Sequence, residues 1–445
     1  MIINIHGRTI EIHDNKKYAF PNDITAKYFK GFMLVISPST GKWIVLNSQI
    51  QIDILKSLIN GASVREVIDK FENINEIRNV LTQLEGKLFT EKISTEEWSF
   101  ALRIYLTNNC NLRCRHCFMY ASTAMDNELS KAEITDLITN CKSYGCSKVI
   151  FTGGEVLIRE DFEEIVKFSA LSGLYVQVLT NGTLWNEENI ARIAPYIDEI
   201  QISIDGFNQE TNSAIRGENT FEKSLRTLEL FTEHENVLTS IVMTPTYELL
   251  EKFKAQYTEF AQNLVNKYQG KNFLVVLQKE LIDGRELKSN ESKNRIMEQT
   301  VASIYEKIYE NSELTTFILN HKNGIIYKNC GYGNLTVNSI GDIFFCGRVH
   351  DVKKYANLRT TDFSEIMRLR KFVRERSFVD YLQPCCECEL RYICGGGCRI
   401  KNFPEIVNSP LENLTNTFSR KIDCSEHDKE NFYRLMIESN NFLME

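Results

Sequence analysis

Cys110-Asn111-Leu112-Arg113-Cys114-Arg115-His116-Cys117 decides how this chain is read. Its three cysteines stand at C-x3-C-x2-C spacing, directly after a β-rich run carrying Leu102, Ile104 and Leu106. Three thiolates can hold three irons of a four-iron cluster and leave the fourth open. The corners of a cube lie close together, so a short irregular loop is the right carrier. An open iron is to a cluster what an open coordination position is to catalytic zinc, a place where a small molecule binds and reacts. A zinc knuckle or a set of core thiols is the competing reading. His116, lying between two of the cysteines, is badly placed to close a tetrahedral site.

With this spacing and an aromatic residue, His116, just before the third cysteine, the chain resembles the radical S-adenosylmethionine (SAM) enzymes. Further motifs carry the resemblance. Thr152-Gly153-Gly154-Glu155 follows Val149-Ile150-Phe151, and two glycines at a strand end let backbone carbonyls approach a ligand closely. In the family this motif meets the methionine ammonium group; Val156 stands where the family usually has proline. Ser203-Ile204-Asp205-Gly206 sets a hydroxyl beside a carboxylate, which suits ribose hydroxyls; a simple turn with Asp205 as a helix cap is the alternative. Arg216-Gly217 resembles the family's arginine for the methionine carboxylate, since a planar guanidinium makes paired bonds to such a group. A surface arginine is its alternative. Leu179-Thr180-Asn181-Gly182 either lines the same pocket or makes a tight turn. The resemblance implies reductive cleavage of SAM bound at the open iron, with an electron from a reductant such as flavodoxin or ferredoxin. A 5′-deoxyadenosyl radical then takes a hydrogen from the substrate. The protein supplies orientation and a dry site.

The 445 residues suggest two to four domains. A net charge of −7 gives no electrostatic reason to bind nucleic acid. No apolar run is long enough to span a bilayer. Met1-Ile2-Ile3-Asn4-Ile5-His6 has no basic region followed by an apolar stretch, so no signal peptide is expected. A cytoplasmic location, where thiols stay reduced, follows as the expectation. Thirteen cysteines in that compartment point to metal or clusters rather than disulfides. None precedes Cys110 and eight lie from Cys330 onward, which suggests a separate cofactor-bearing C-terminal region.

The expected fold class is α/β: a partial (β/α)6 TIM-like barrel with an N-terminal winged-helix-like domain and a C-terminal cysteine-rich domain. Residues 1–92 read as the small module, with a hairpin around His6-Gly7-Arg8, strands at 32–36 and 43–46, and three helices. Asn47 or Ser48 caps the first helix, Gly61 ends it, and Ser63 opens the second. The stretch from Leu46-Asn47 to Leu58-Ile59 and Gly61-Ala62-Ser63-Val64-Arg65-Glu66-Val67 resembles the peptide-recognition domain of ribosomal-peptide maturases, the pyrroloquinoline-quinone carrier type. A DNA-binding winged helix is the alternative. From Gln51 to Thr95, six basic residues face seven acidic ones, which gives little support for a phosphate-binding surface. An exposed strand edge could instead accept a peptide as an added strand. Residues 100–315 alternate strand and helix, with strands expected at 101–107, 148–152, 174–180, 199–204, 238–244 and 273–279. Chemistry in such barrels sits at the C-terminal ends of strands. Residues 322–424 are the cysteine-rich region, and 425–445 reads as a helix with Phe432, Leu435 and Ile437 along one stripe.

The C-terminal cysteines run C-x10-G-x4-C (Cys330, Gly341, Cys346), then C-x2-C-x5-C-x3-C (Cys385, Cys388, Cys394, Cys398), then Cys424. This spacing resembles the extension called SPASM, which carries two auxiliary four-iron clusters; a zinc ribbon is the alternative. The resemblance implies that Cys385, Cys388, Cys394 and Cys424 hold the distal cluster and Cys330, Cys346 and Cys398 the proximal one, three [4Fe-4S] clusters in all. Full proximal sets in the family have a further cysteine after the first, and Tyr332 to Gly341 has none. An open proximal iron for a substrate thiolate is therefore expected, with Cys386 as the rival ligand. Cys141 and Cys146 read as small core residues.

Together these features imply an enzyme, a radical SAM peptide maturase. It binds the leader of a ribosomal precursor with residues 1–92 and cross-links the core peptide, thioether bonds (sactipeptide or ranthipeptide type) foremost. Carbon–carbon or carbon–oxygen links, and an anaerobic sulfatase-maturating activity, are the alternatives within the class. A peptide carrier or DNA-binding regulator with structural clusters is the alternative outside it. No residue stands out as the general base.

Overall fold

Phe32–Ile36 and Trp43–Leu46 are continuous apolar runs, and this fixes how the first part of the chain is buried, on both faces of its sheet. The computed structural model describes residues 1–5, 8–91, 99–309, 312–321, 326–420 and 424–440. The chain divides into two units. One comprises Met1–Glu97, Asn311–Tyr332 and Glu375–Glu445, the other Trp98–Glu310 and Gly333–Arg374. The His6-Gly7 turn and the junctions at 92–98 and 322–325 lie outside the described residues.

In the first unit, β1 (Ile2–Ile5) and β2 (Arg8–Glu11) form an antiparallel hairpin. Three further strands, β3 (Thr25–Phe29), β4 (Phe32–Ser37) and β5 (Lys42–Leu46), form an antiparallel sheet in that order. Helices α1 (Gln49–Ile59), α2 (Val64–Lys70) and α3 (Ile74–Gly86) follow. Ser48 caps α1 by accepting from the Gln51 amide, and Ser63 with Glu66 forms a capping box on α2. Gly61, at φ 89°, takes the left-handed turn that ends α1.

Because side chains alternate across a strand, Val35, Ile44 and Leu46 face a core shared with Ile54, Leu58, Val80 and Leu84. Leu34, Ile36, Trp43 and Val45 face a second core with Phe317, Leu390, Ile393, Tyr433 and Met436. The Trp43 indole N–H donates to the Met436 carbonyl at 3.2 Å. The N-terminal sheet is thus covered on both faces, and its second cover comes from the helix Ser312–His321, from 390–393 and from the C-terminal helix Glu426–Glu438. Replacing the buried Trp43 by alanine is expected to cost about 3–5 kcal/mol.

In the second unit, six parallel strands run in chain order: β6 (Phe100–Tyr105), β7 (Cys146–Thr152), β8 (Tyr175–Thr180), β9 (Glu199–Ser203), β10 (Leu238–Met243) and β11 (Phe273–Leu277). Each lies within two residues of its expected span. Helices between them cross over as parallel pairing requires. Cys141 and Cys146 are buried in this core.

The cysteine-rich stretch 322–424 is not one body. Its Gly333–Arg374 section joins the barrel unit, because β12 (Leu335–Val337) pairs parallel with β6, setting Leu335 opposite Leu102 and Val337 opposite Ile104. β13 (Asp342–Phe344) and β14 (Ala356–Asn357) extend this into a nine-stranded sheet. Arg359 also pairs with Glu133 at 2.5 Å, on the first barrel helix α4 (Lys131–Ser143). No helix among the described residues is long and apolar enough to cross a membrane.

Candidate active site

The loop Cys110–Cys117 leaves the C-terminal end of β6, and the ends of β7, β8 and β9 surround it. The first contact is made by the glycines. Gly154 N–H donates to the Thr107 carbonyl at 2.7 Å and Glu155 N–H to the Asn109 carbonyl at 2.9 Å. A Cβ on Gly154 would fall 2.0 Å from Asn109 O, and one on Gly153, at φ 141°, 2.5 Å from Thr107 O. The two glycines therefore seat the β7 turn directly on the root of the cysteine loop.

Glu155 is fully buried, and its carboxylate accepts from the Thr180 hydroxyl at 2.7 Å and the Asn181 amide at 2.8 Å. Burial raises its pKa despite these donors. The side chain thus ties the ends of β7 and β8 together. Asn181 continues inward, donating to the Asn111 side chain at 2.9 Å.

Asp205, beyond the end of β9, is also fully buried and acts as a hub. Its Oδ2 lies 2.6 Å from His116 Nε2 and 2.5 Å from Arg216 Nε. Its Oδ1 accepts from the Thr244 amide at 2.7 Å, and Tyr257 donates to its carbonyl at 2.9 Å. Burial opposes its ionisation, yet Arg216 and His116 outweigh that and hold the carboxyl down at about 2. The cap alternative fails, since Asn208 caps the helix Gln209–Arg216. Arg216 is not a surface residue: it is 9% exposed, and its Nη1 reaches Cys114 Sγ at 3.9 Å. Its Nε, although close to Asp205, is not aligned for a hydrogen bond. Ser203 stands half-buried at the end of β9.

The chain after β11 closes the loop from outside. Arg285 N–H donates to the Cys117 carbonyl and Glu286 N–H to the Arg115 carbonyl, at 3.2 and 2.8 Å. The Arg285 guanidinium reaches the carbonyls of Cys114 and Ala121. A Cβ on Gly284 would meet His116 O at 2.5 Å. Thr244, Tyr257 and Gly284–Glu286 escaped sequence reading, because no local motif marks a residue whose partner lies on another strand.

Residues 104–254 match the Radical SAM superfamily. This radical SAM domain makes the chain an enzyme, and the radical SAM family uses a [4Fe-4S] cluster and SAM. The AdoMet-dependent heme synthase of Oleidesulfovibrio alaskensis is 28% identical over 326 residues, covering 67% of this chain and 82% of that protein. Mycofactocin maturase MftC of Mycolicibacterium smegmatis is 26% identical over 309 residues, covering 67% and 77%. Among solved structures, SuiB of Streptococcus suis covers 89% of this chain and 98% of its own, at 18% identity and a TM-score of 0.50. The anSMEcpe structure with bound AdoMet and Cp18Cys peptide covers 77% and 100%, at 18% identity and a TM-score of 0.55. These two share the fold.

The loop cysteines fit a radical SAM cluster by their chemistry. Burial pushes the Cys110 thiol up to about 11 and raises Cys114, so neither carries charge unaided. Metal binding is what deprotonates such a thiol. Among the described residues no three His, Cys, Asp or Glu converge on one ion; a cube spreads its ligands over separate irons.

Seven more cysteines of this radical SAM enzyme lie in the first unit, Cys386 among them. Cys330 Sγ accepts from the Cys398 thiol and from the amides of Tyr332 and Arg399, which holds Cys330 low and Cys398 high. Cys385, Cys394 and Cys424 lie within electrostatic reach of one another. Cys388 Sγ accepts from the Leu390 amide at 3.4 Å. Cys346 belongs to the barrel unit.

Proposed function

We propose that this radical SAM enzyme is a peptide maturase. It takes the leader of a ribosomal precursor on residues 1–92 and installs a cross-link, thioether foremost, in the core peptide. The observation that carries the reading is the state of the two edges of the N-terminal sheet. The edge of β5 is closed, because the Gln83 side-chain amide both accepts from Val45 N–H and donates to Val45 C=O, each at 2.8 Å. The β3 edge carries mostly exposed residues, with Tyr28 at 65%. An extended peptide gains main-chain hydrogen bonds on such an edge. MftC, a relative named a maturase, supports the maturase reading.

When bound, the cofactors supply a carbon-centred radical that removes hydrogen from the substrate. Cys110, Cys114 and Cys117 would hold the cluster. Gly153, Gly154 and Ser203 would border bound SAM, and Arg216 would meet its carboxylate. Glu155 and Asp205 act through the groups they orient, Asp205 fixing His116 and Arg216. Cys385, Cys388, Cys394 and Cys424 would hold one auxiliary cluster, Cys330 and Cys398 another; for Cys346 the support is the sequence spacing alone. Thioether formation takes a hydrogen atom from carbon, a proton from a thiol and one electron. The proton would pass to solvent, and an auxiliary iron–sulfur cluster held by the C-terminal cysteines would supply the one-electron acceptor.

The test is coexpression with any short reading frame found beside the gene, followed by mass spectrometry of the peptide. Loss of two hydrogens per link, at a cysteine that no longer alkylates, is the expected result. Loss of hydrogens with every thiol still free points to carbon–carbon or carbon–oxygen links. A neighbouring sulfatase gene and oxidation of its peptide would replace the reading. So would turnover of an iron porphyrin, which the heme synthase relative brings to mind.

A further inference from the structure

Arg399 is the largest fully buried side chain among the described residues, with no exposure. Its guanidinium donates from Nε to the Ser377 carbonyl at 2.8 Å, from Nη1 to the Gly397 carbonyl, and from Nη2 to the Lys328 carbonyl at 3.0 Å. These are neutral acceptors. Among the described residues its neighbours of opposite character are thiols: Cys330, Cys385, Cys394 and Cys398 all lie within reach of its charge. Its own backbone amide donates to Cys330 Sγ. A second guanidinium, Arg420, stands beside Cys385 and Cys394, and its buried Nε has no hydrogen-bond partner.

A buried cation surrounded by neutral groups is costly, because taking a charge out of water is repaid only by an opposite charge nearby. Thiols that keep their protons cannot repay it. Thiolates ligating an iron–sulfur cluster can, since such a cluster is a net anion and gains a further negative charge on one-electron reduction. A fixed positive charge beside it favours the reduced form, and net charge and hydrogen bonding are among the factors that set a cluster's potential.

We propose that the buried guanidinium of Arg399, seconded by Arg420, is the built-in counter-charge of an auxiliary iron–sulfur cluster and raises its reduction potential. Arg399 is thus a tuning residue: it ligates nothing and acts through the cluster beside it. The inference rests on the auxiliary-cluster reading of the C-terminal cysteines, and the experiment separates the two.

The full-length protein with Cys110, Cys114 and Cys117 all changed to alanine is reconstituted anaerobically with iron and sulfide, so that any cluster signal arises elsewhere. Iron and a [4Fe-4S] signal must persist in this background; their complete loss would remove the auxiliary cluster itself, and the proposal with it. Midpoints are then read by redox titration followed by electron paramagnetic resonance. R399Q should retain iron while its midpoint falls, the reduced-to-oxidised ratio at the parent midpoint dropping about tenfold or more, or about 59 mV for one electron. R399K, which keeps the charge, should recover most of that shift. If R399Q does not hold iron, R420Q carries the test, with a smaller shift of the same sign expected. A cluster-loaded R399Q at the parent midpoint overturns the proposal, as does a loaded R420Q at that midpoint where R399Q loses iron.

Discussion

Asp205 and His116 meet at 2.6 Å, Oδ2 to Nε2, although 89 residues separate them in sequence. One partner ends the fourth barrel strand and the other stands between two cysteines of the β6 loop. The carboxylate is therefore a brace between the barrel and the loop. Substituting D205N removes the charge facing both His116 and Arg216 and leaves Arg216 buried and uncompensated. The expected cost is about 3–5 kcal/mol, read as a lower unfolding midpoint, with SAM affinity falling more than tenfold by calorimetry. A variant that melts and binds like the parent would refute the brace.

The same residue gives the protein an acid limit. The Asp205 carboxyl lies at about 2 when folded against an ordinary value of 3.8. A depressed carboxyl contributes stability at pH above its unfolded value, and that contribution is lost as pH falls through its folded one. Stability should drop between about pH 4 and about 2, with D205N showing a flatter profile there. Denaturant titrations across that window provide the check.

G154A places a methyl group 2.0 Å from Asn109 O, a backbone atom that cannot swing aside. The β7 turn and the cysteine loop must part. We expect the variant to retain its secondary structure by circular dichroism and to lose the iron held by that loop, counted colorimetrically after reconstitution. Full iron with normal SAM cleavage would contradict this.

R285A deletes the guanidinium that bridges the Cys114 and Ala121 carbonyls. Each lost charge-assisted bond is worth about 1.5–3 kcal/mol. The loop should remain folded but looser. The ratio of deoxyadenosine formed to peptide product should rise, and the cluster should bleach faster in air. Stopped-flow absorbance and product quantitation measure both.

Adding precursor peptide should slow hydrogen exchange along Thr25–Phe29 and leave Lys42–Leu46 unaffected, because Gln83 already occupies the latter edge. Protection confined to the β5 strand would place the leader elsewhere.

The barrel was readable because its strands are short apolar runs ending in glycine- or polar-rich turns, as in Val149-Ile150-Phe151 before Gly153. The cysteine spacing likewise announced its loop. β3 was invisible: Thr25-Ala26-Lys27-Tyr28-Phe29 buries little and shows no apolar alternation. β12 is three residues long, and only its pairing with β6 makes it a strand. Asp205 was legible as a pocket residue, but its partners His116, Arg216 and Thr244 reach it through the fold. Spacing could nominate these residues and could not say that the carboxylate faces protein on every side.

The pairing of Leu335–Val337 against β6 bears on how the molecule can be cut. A chain ending at Glu310 would strip the open flank of the barrel and bare the backbone beside Leu102 and Ile104. Such a raw strand border invites self-association. The smallest piece around the cysteine loop that avoids such a border therefore has to retain a stretch that looks, in sequence, as though it belonged to the neighbouring region.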